Sequence, residues 1–233
     1  MPKSVDNPVD CNDVNVTGTL NVLMAARDAG VKRLVYASSS SAYGDSRVFP
    51  QAETLTPNPI SPYAVAKLAG EHYCMVFART YGFETVALRY FNVFGPRQNP
   101  ESLYSAVIPK FMELAQAGKP LEIHWDGRQS RDFTFVKNVV DANLKAAKAP
   151  KAAGNAYNIA TGTTASLLDI VSGLEGILGR KLARKSLPKR AGDVRKTWAD
   201  ISKARKELGY KPLVDFNDGL KATWKYFENR FKA

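Results

Sequence analysis

The sequence predicts an α/β protein built on a doubly wound parallel sheet, with a smaller α/β lobe interleaved along the chain. Two short segments, residues 31–38 and 85–95, read as buried strands because their centres are largely apolar. A long helical segment that starts at Ser61 lies between them. Strand, helix and strand in this order form right-handed parallel crossovers, which predicts an open sheet with helices on its faces.

Local signals delimit the elements in the first part of the chain. Apolar positions recur at helical spacing over residues 14–26, and Gly30 is a typical C-terminal cap for that helix. A polar, proline-bearing loop follows the first strand. In the next helix Ser61 can cap the first turn, Pro62 suits the first helical position and Gly82 ends the helix.

Beyond Pro96 shorter elements of both kinds alternate. Helices are expected near residues 104–118, 137–149, 166–178, 202–208 and 217–231. Short strands are expected at LEIH, DFTFV and YNIA, which are residues 121–124, 132–136 and 157–160. Since no repeat or flexible linker separates two blocks, the smaller lobe must interleave with the larger domain. The larger domain is expected to comprise residues 1–95 and 134–163, and the smaller lobe residues 96–133 and 164–233.

The composition is that of an ordinary globular protein. Of the 233 residues, 45% are hydrophobic and 24% are charged, and no apolar run approaches the ~18 residues of a membrane span. The first residues show no basic end followed by an apolar core, so we expect no secretory signal and a cytoplasmic location. Cys11 and Cys74 form no CxxC pair, and no group of ligand residues predicts a metal site.

The charge balance is strongly basic, with a net charge of +11 from 33 Lys and Arg against 22 Asp and Glu. Much of the excess lies in residues 180–211 and indicates an anionic partner, which could be nucleic acid, an anionic surface or a small phosphorylated ligand. A merely solvated basic face is the alternative. The segment has neither zinc-finger spacing nor the aromatic pattern of an RNA-recognition motif, so we do not expect a nucleic-acid partner.

Tyr63 is followed four residues later by Lys67 in the predicted helix, so one helical turn places both on the same face. A serine run, residues 38–41, ends the preceding strand, and ligands collect at the carboxyl ends of parallel strands. A phenol with a pKa near ~10 is a poor base at neutral pH, but an adjacent ammonium favours the phenolate. We therefore expect Lys67, helped by a cationic cofactor, to lower the pKa of Tyr63, and a serine hydroxyl to relay or orient the proton.

Three motifs in this order, VYASSSSAYGD, SPYAVAK and LRYFNVFGPRQ, resemble those of the extended short-chain dehydrogenase/reductase superfamily. Within it the sequence is most similar to the NAD-dependent epimerase/dehydratase family, and there to UDP-sugar 4-epimerases that act on UDP-glucose or UDP-GlcNAc. The resemblance runs from about Asn15 to the C-terminus. It implies an incomplete Rossmann-like sheet in the larger domain, without the opening βαβαβ unit of that fold, together with NAD as cofactor and a UDP-sugar bound by the smaller lobe.

The resemblance also implies roles for particular residues. Those that match the catalytic group are Ser39, Ser40, Tyr63 and Lys67. Those that match cofactor-binding residues are Asn15, Ser38, Tyr63, Lys67, Tyr90 and Phe91. Those that match residues binding the sugar nucleotide are Asn92, Ala106, Val107, Arg131, Arg190, Asp193 and Thr197. Structural alternatives stay open, since the asparagines suit helix starts or turns and the aromatic pair suits core packing.

In the reaction that the resemblance implies, Tyr63 removes the proton of the sugar 4-hydroxyl while the C4 hydride moves to NAD. The 4-keto sugar then turns in the pocket and takes the hydride back on its other face. Ser40 stands where related dehydratases carry an acidic residue, which favours an epimerase over a dehydratase or decarboxylase. Thr197 stands where some glucose-restricted epimerases carry a bulky aromatic side chain, so the N-acetyl group of UDP-GlcNAc should fit.

One motif of the family is missing from the sequence. A dinucleotide-binding fold presents GxxGxxG at its first βα turn, and no such group of glycines occurs here. We therefore expect weak or lost NAD binding, and an open apolar edge on the strand at 31–38 that invites pairing with another chain. Family dimers form through the helices that correspond to residues 12–29 and 61–80, so a homodimer is expected here as well.

Three hypotheses about function stay open. In the first, the chain is a working NAD-dependent epimerase whose missing part comes from a partner, an upstream segment or a swapped subunit. In the second, it is a truncated, catalytically silent module that binds UDP-sugars or self-associates. In the third, the basic segment binds nucleic acid and the resemblance is vestigial.

Overall fold

The computed structural model describes residues 2–100, 107–189, 194–228 and 230. Its α-helices are α1 (Pro2–Asp6), α2 (Pro8–Asn12), α3 (Gly18–Asp28), α4 (Pro62–Tyr81), α5 (Val107–Gln116), α6 (Val136–Lys148), α7 (Leu167–Leu178), α8 (Ser202–Leu208) and α9 (Phe216–Glu228). A π-helical turn, Asp13–Thr17, joins α2 to α3, and a 3-10 turn, Ser40–Tyr43, follows the first strand. Within these ranges no helix combines the length and the hydrophobicity that crossing a bilayer requires.

The strands are β1 (Arg33–Ser39), β2 (Glu84–Tyr90), β3 (Val93–Phe94), β4 (Leu121–His124), β5 (Ser130–Arg131), β6 (Thr134–Phe135), β7 (Asn155–Ile159), β8 (Ala165–Ser166) and β9 (Arg184–Leu187). The central sheet is parallel, with the order β1–β2–β7. Two further parallel pairs, β3–β6 and β4–β9, and the antiparallel pair β5–β8 accompany it. In the part of the chain that the structure describes, β1 pairs with β2 alone. The predicted fold class, α/β with a parallel sheet, is confirmed.

Helix α4 forms where its end signals predict it. The Oγ atom of Ser61 accepts a hydrogen bond from the Ala64 N–H at 3.2 Å, and Pro62 occupies the first turn. Gly82 ends the helix with a left-handed φ of 65°, a conformation that costs glycine nothing. The helix therefore begins where a serine side chain caps its first turn and ends where a glycine adopts the left-handed conformation.

Three clusters of buried apolar side chains form the interior. The first packs α6 and α8 against the central sheet, around Leu88 and Tyr210. The second joins α5, α7 and α9 around Phe94. The third lies between α3, α4 and the sheet, around Leu23 and Phe77. The two-lobe division stays a prediction; α8, which it assigns to the smaller lobe, packs in the first cluster.

Of the segment at residues 132–136, expected as one strand, only residues 134–135 form a strand in the structure. Strand β5, just before it, pairs with β8, whereas β6 within it pairs with β3. Between these strands Asp132 is fully buried, and its carboxylate accepts hydrogen bonds from the N–H groups of Thr161 and Gly162 at 2.8 and 3.0 Å. These hydrogen bonds anchor the chain at the point where it changes from one partner strand to another.

Helix α4 approaches β1 closely at Gly70, which is buried against Tyr36. A Cβ atom at residue 70 would lie 2.6 Å from the Cζ atom of Tyr36 and would overlap its hydroxyl group. That hydroxyl donates to the carbonyl oxygen of Lys67 at 3.3 Å, which holds the ring in place. The absence of a side chain at residue 70 therefore sets the distance between helix and strand.

Replacing Gly70 with Ala should destabilise the fold. The energetic cost of the overlap with Tyr36 should exceed the free energy gained from the higher helix propensity of alanine. The free energy of unfolding should therefore fall by about 1–3 kcal/mol. Gly176→Ala in α7 is the matched control, because an added Cβ meets nothing within 4 Å there. That change should raise the free energy of unfolding by about 0.5–1 kcal/mol. Urea unfolding measures both, and equal stability of the two variants would contradict the packing argument.

Candidate active site

A cleft of about 680 Å³ opens at the carboxyl end of β1, a volume typical of small-molecule sites. Its walls come from α1, α2, the two irregular turns, the start of α4 and the chain that follows β2. The cleft brings together the following residues expected in the site: Asn15, Ser38, Ser39, Ser40, Tyr63, Tyr90, Asn92, Arg131 and Thr197. Residues far apart in the sequence therefore meet at the carboxyl ends of the parallel strands, where ligands bind in folds of this class.

Ser39 and Tyr63 lie side by side in this cleft. Ser39 ends β1 with an extended backbone, and its Oγ atom accepts hydrogen bonds from the N–H and Oγ–H groups of Ser41 at 3.2 and 2.9 Å. Tyr63 lies in the first turn of α4, and its phenol lines the same cleft as the Ser39 side chain, whose hydroxyl is placed to favour the phenolate. A strand end and a helix start thus bring a hydroxyl and a phenol to one cleft, as proton transfer through both groups requires.

Burial has the largest effect on the pKa of the Tyr63 phenol. Removal from water raises the pKa of its phenol, and the Ser39 hydroxyl opposes this rise in pKa without reversing it. Lys67 was expected to lower this pKa, but its Nζ atom donates to the carbonyl oxygen of Ala37 at 3.1 Å and lies 5.9 Å from the centre of the Tyr63 ring. Burial also lowers the pKa of Lys67 itself. Lys67 by itself therefore does not lower the pKa of Tyr63. The lowering expected from Lys67 together with a cationic cofactor stays a prediction.

Two residues expected to bind the cofactor line the cleft while engaged with the protein. The Oγ atom of Ser38 donates to the buried carboxylate of Glu71 at 2.6 Å. The Nδ2 atom of Asn15 donates to the carbonyl oxygen of Cys11 at 2.9 Å. The Ser38 hydroxyl therefore points toward α4, whereas the side-chain amide of Asn15 lies at the wall of the cleft.

The expected aromatic pair divides between the cleft and the core. Tyr90 lines the cleft, and its hydroxyl donates to the Oδ1 atom of Asn143 at 2.9 Å. Phe91 is fully buried in the first cluster, with its ring 6.1 Å from that of Tyr43. Successive side chains of an extended segment point to opposite sides, so Phe91 enters the core and does not line the pocket as expected.

The residues expected to bind the sugar nucleotide are only partly brought together. Thr197 donates from Oγ1 to the Oδ1 atom of Asn92 at 3.2 Å, and both line the cleft. Arg131 on β5 lines it too, with Nη1 donating to the Ser130 carbonyl at 2.9 Å. Val107 instead begins α5 and packs against the second cluster. Three further expected residues lie outside the described part of the chain: Ala106, Arg190 and Asp193.

Helices α1 and α2 supply a wall of the cleft that the sequence analysis missed. Asn7 and Asp10 line this wall, and Asn7 caps α2 by accepting a hydrogen bond from the Asp10 N–H at 3.2 Å. Ser4 accepts a hydrogen bond from the Tyr63 N–H at 3.2 Å, which ties α1 to the start of α4. An asparagine followed by a proline is a helix-start signal, and it could have revealed α2.

A parallel sheet with a cleft at its carboxyl edge, lined by a tyrosine and a serine, defines an α/β protein of the Rossmann class with a site suited to proton transfer. The chain belongs to the NAD dependent epimerase/dehydratase family, whose model matches residues 1–160. The family resemblance therefore includes α1 and α2, and it starts earlier than the expected position near Asn15.

Individual relatives are UDP-sugar 4-epimerases. The UDP-glucose 4-epimerase of Mycolicibacterium smegmatis is 36% identical over 231 residues, which cover 99% of this chain and 73% of that protein. The structure of UDP-N-acetylglucosamine 4-epimerase from Methanobrevibacter ruminantium in complex with UDP-N-acetylmuramic acid matches with a TM-score of 0.94 at 36% identity, covering 98% of this chain and 73% of that one. UDP-glucose 4-epimerase from Thermus thermophilus in complex with NAD matches with a TM-score of 0.86 at 32% identity, covering 96% and 73%. The resemblance inferred from the motifs is confirmed.

Removing the Ser39 hydroxyl should raise the pKa of Tyr63 further, because a hydroxyl group that can donate to the phenolate oxygen favours the phenolate. Fluorotyrosine, a more acidic phenol, can be placed at residue 63 and titrated by fluorine NMR. Ser39→Ala should move the midpoint of this titration to higher pH. Ser46→Ala, in the loop outside the cleft, should leave it in place. An unchanged midpoint in S39A would show that the two side chains do not interact.

Proposed function

We propose that the protein is an NAD-dependent epimerase that inverts C4 of the hexose in a UDP-sugar. The observation that carries this proposal is that Ser39 and Tyr63 line the same cleft at the end of β1, with the Ser39 hydroxyl placed to favour the phenolate of Tyr63. Membership of the family supports NAD as the cofactor. The similarity to UDP-glucose and UDP-N-acetylglucosamine 4-epimerases supports a UDP-sugar as the substrate.

The groups around Tyr63 fit the nicotinamide riboside end of NAD. The hydroxyls of Ser39 and Tyr63 and the amide of Asn15 line the cleft and supply donors and acceptors that a ribose and a carboxamide need. Lys67 does not line the cleft itself. Its ammonium, which donates to the Ala37 carbonyl, is the further proposed donor to the ribose. When bound, NAD accepts the hydride from C4 of the sugar and returns it to the opposite face. Weak or lost NAD binding stays our expectation, because the sequence carries no GxxGxxG.

Tyr63 is the proposed base for the sugar 4-hydroxyl. Its phenolate takes the proton as C4 becomes a carbonyl carbon, and the phenol returns the proton when the hydroxyl re-forms. Ser39 lines the same cleft as the phenol and is proposed to orient the sugar hydroxyl, and Ser40 on the adjoining turn adds a second hydroxyl. Since burial raises the pKa of Tyr63, the active phenolate should become more populated as pH rises above neutral.

Asn92, Arg131 and Thr197 form the proposed sugar-nucleotide end of the cleft. The planar fork of an arginine matches phosphate oxygens in charge and geometry, which makes Arg131 the proposed diphosphate ligand. Thr197 has a small side chain in contact with Asn92 and leaves room for an N-acetyl group. An anionic ligand of this kind accounts for part of the basic charge without nucleic acid.

We also propose that the chain forms a homodimer through the helices at residues 12–29 and 61–80. Helix α3 exposes Val22 and Met24, and α4 exposes Val65 and Val76. Apolar side chains grouped on the exposed surfaces of neighbouring helices are typical of an interface with another protein. A second copy of the chain would cover both helices at once.

Replacing Tyr63 with Phe should abolish turnover and spare ligand binding. Loss of the phenol removes the proton transfer, which contributes a factor of about 10²–10⁴ to the rate. NMR follows the interconversion of UDP-GlcNAc and UDP-GalNAc with added NAD, and calorimetry measures the affinities for UDP-GlcNAc and NAD separately. Tyr81→Phe, at the exposed end of the same helix, is the control and should behave as the native chain.

The two affinities separate the open hypotheses. Binding of both ligands together with turnover supports the epimerase. Binding of the UDP-sugar alone supports a silent binding module. If the chain binds neither the UDP-sugar nor NAD, the proposed function is contradicted and the nucleic-acid hypothesis is left. Equal turnover in Y63F and in the native chain would contradict the role of Tyr63 as the base.

Replacing Thr197 with Tyr should select against the N-acetyl sugar. A phenol ring in the cleft should remove the space that the N-acetyl group needs, so the affinity for UDP-GlcNAc should fall about 10–200-fold relative to that for UDP-glucose. Thr197→Ser keeps a small hydroxyl beside Asn92 and should preserve the ratio. Calorimetry with both nucleotides measures the ratio without turnover, and an unchanged ratio in T197Y would place the N-acetyl group elsewhere.

A further inference from the structure

The buried carboxylate of Glu71 takes no part in the proton transfer described above, yet it accepts three hydrogen bonds beside the end of β1. Arg89 donates from Nη2 at 2.6 Å and from Nε at 3.0 Å, and Ser38 donates from Oγ at 2.6 Å. Glu71 is fully buried and Arg89 is 4% exposed. Desolvation of two such charges offsets much of their attraction, so stability alone is a weak reason for the pair.

Each partner of this carboxylate is adjacent to the candidate active site. Ser38 immediately precedes Ser39 on β1, and Arg89 lies directly opposite Ser38 in the parallel register. Glu71 itself lies two helical turns after Tyr63 on α4. One carboxylate therefore joins the strand end that carries the serine to the helix that carries the tyrosine.

The same network holds the turn that follows Ser39. Arg89 donates from Nη1 to the hydroxyl of Tyr43 at 2.8 Å, and that hydroxyl donates to the Oδ1 atom of Asn158 on β7 at 2.7 Å. Tyr43 is the last residue of the 3-10 turn that Ser39 caps. The network thus holds the backbone around Ser39 on both sides, through Ser38 before it and Tyr43 after it.

We propose that Glu71 and Arg89 are positioning residues whose buried ion pair sets the distance between Ser39 and Tyr63. Neither side chain lines the cleft, so both act through the strand end and the helix. That Ser39 and Tyr63 are the reacting pair rests on the proposed function. The effect of the ion pair on the placement of Ser39 relative to Tyr63 can be measured without cofactor or turnover.

The test uses the full chain with fluorotyrosine at residue 63, titrated by fluorine NMR. Glu71→Gln keeps the shape of the side chain but leaves the Arg89 charge buried without its anion, so β1 should shift relative to α4. The midpoint for residue 63 should then move to higher pH, in the direction that Ser39→Ala produces. In the double variant E71Q/S39A the Glu71 change should add no further shift, because it acts through Ser39.

The sign of the shift distinguishes positioning from direct electrostatics. Removal of a nearby negative charge would by itself favour the phenolate and move the midpoint to lower pH. A lower or unchanged midpoint in a folded E71Q variant therefore overturns the proposal. An additional rise of equal size in the S39A background overturns it as well, because the effect would not pass through Ser39.

Glu175→Gln is the matched control. Glu175 on α7 is also a buried carboxylate, paired with Lys181 and Arg184 at 2.9 and 3.2 Å, but it packs far from the cleft, beside the second cluster. This change should lower the Tm and leave the titration of residue 63 unchanged. A shift in E175Q equal to that in E71Q would mean that any loss of stability moves the midpoint, which overturns the proposal.

Ser38→Ala decides the question if E71Q does not fold. It removes one link between β1 and Glu71 and leaves the ion pair intact, so a smaller rise of the midpoint is expected. No rise in S38A would overturn the proposal. Absence of UDP-sugar binding or of turnover in the native chain would contradict the proposed function and leave this titration result standing.

Discussion

The packing of helix α4 on strand β1 is the constraint on which the rest of the site depends. Gly70 lets the helix approach Tyr36, and the buried pair of Glu71 and Arg89 links the helix to the end of the sheet. The candidate reacting groups lie at the ends of these same two elements. Any change in the contact between strand and helix therefore changes the distance between the serine hydroxyl and the phenol, even when the cleft itself is untouched.

The electrostatics of the cleft follow from burial more than from the neighbouring ammonium. A phenol taken out of water is harder to ionise, and Lys67 directs its charge to the carbonyl of Ala37 rather than to the oxygen of Tyr63. Helix α4 therefore places Tyr63 and Lys67 on one face, but the charge of Lys67 does not lower the pKa of the Tyr63 phenol. Ionisation of Tyr63 near neutral pH then requires a contribution beyond that of Lys67, which is consistent with chemistry that starts when ligands fill the cleft.

Local signals in the sequence predicted much of this fold, and tertiary contacts account for what they could not predict. Ser61 and Gly82 delimit α4 by their own backbone preferences, so its ends were predictable. The meeting of serine and tyrosine followed from the order of strand and helix. The direction of Lys67, the burial of Phe91 and the shortening of the strand expected at residues 132–136 depend on partners distant in the chain. A charged residue inside the apolar strand β2 was the available signal for the Glu71–Arg89 network, because buried charges require partners.

A structure of the protein with bound UDP-GlcNAc tests the central claim most directly. The account predicts that the hexose occupies the cleft at the end of β1, with its 4-hydroxyl within hydrogen-bonding distance of both the Ser39 hydroxyl and the Tyr63 phenol. A sugar nucleotide bound elsewhere, or a hexose whose 4-hydroxyl points away from both oxygens, would contradict it.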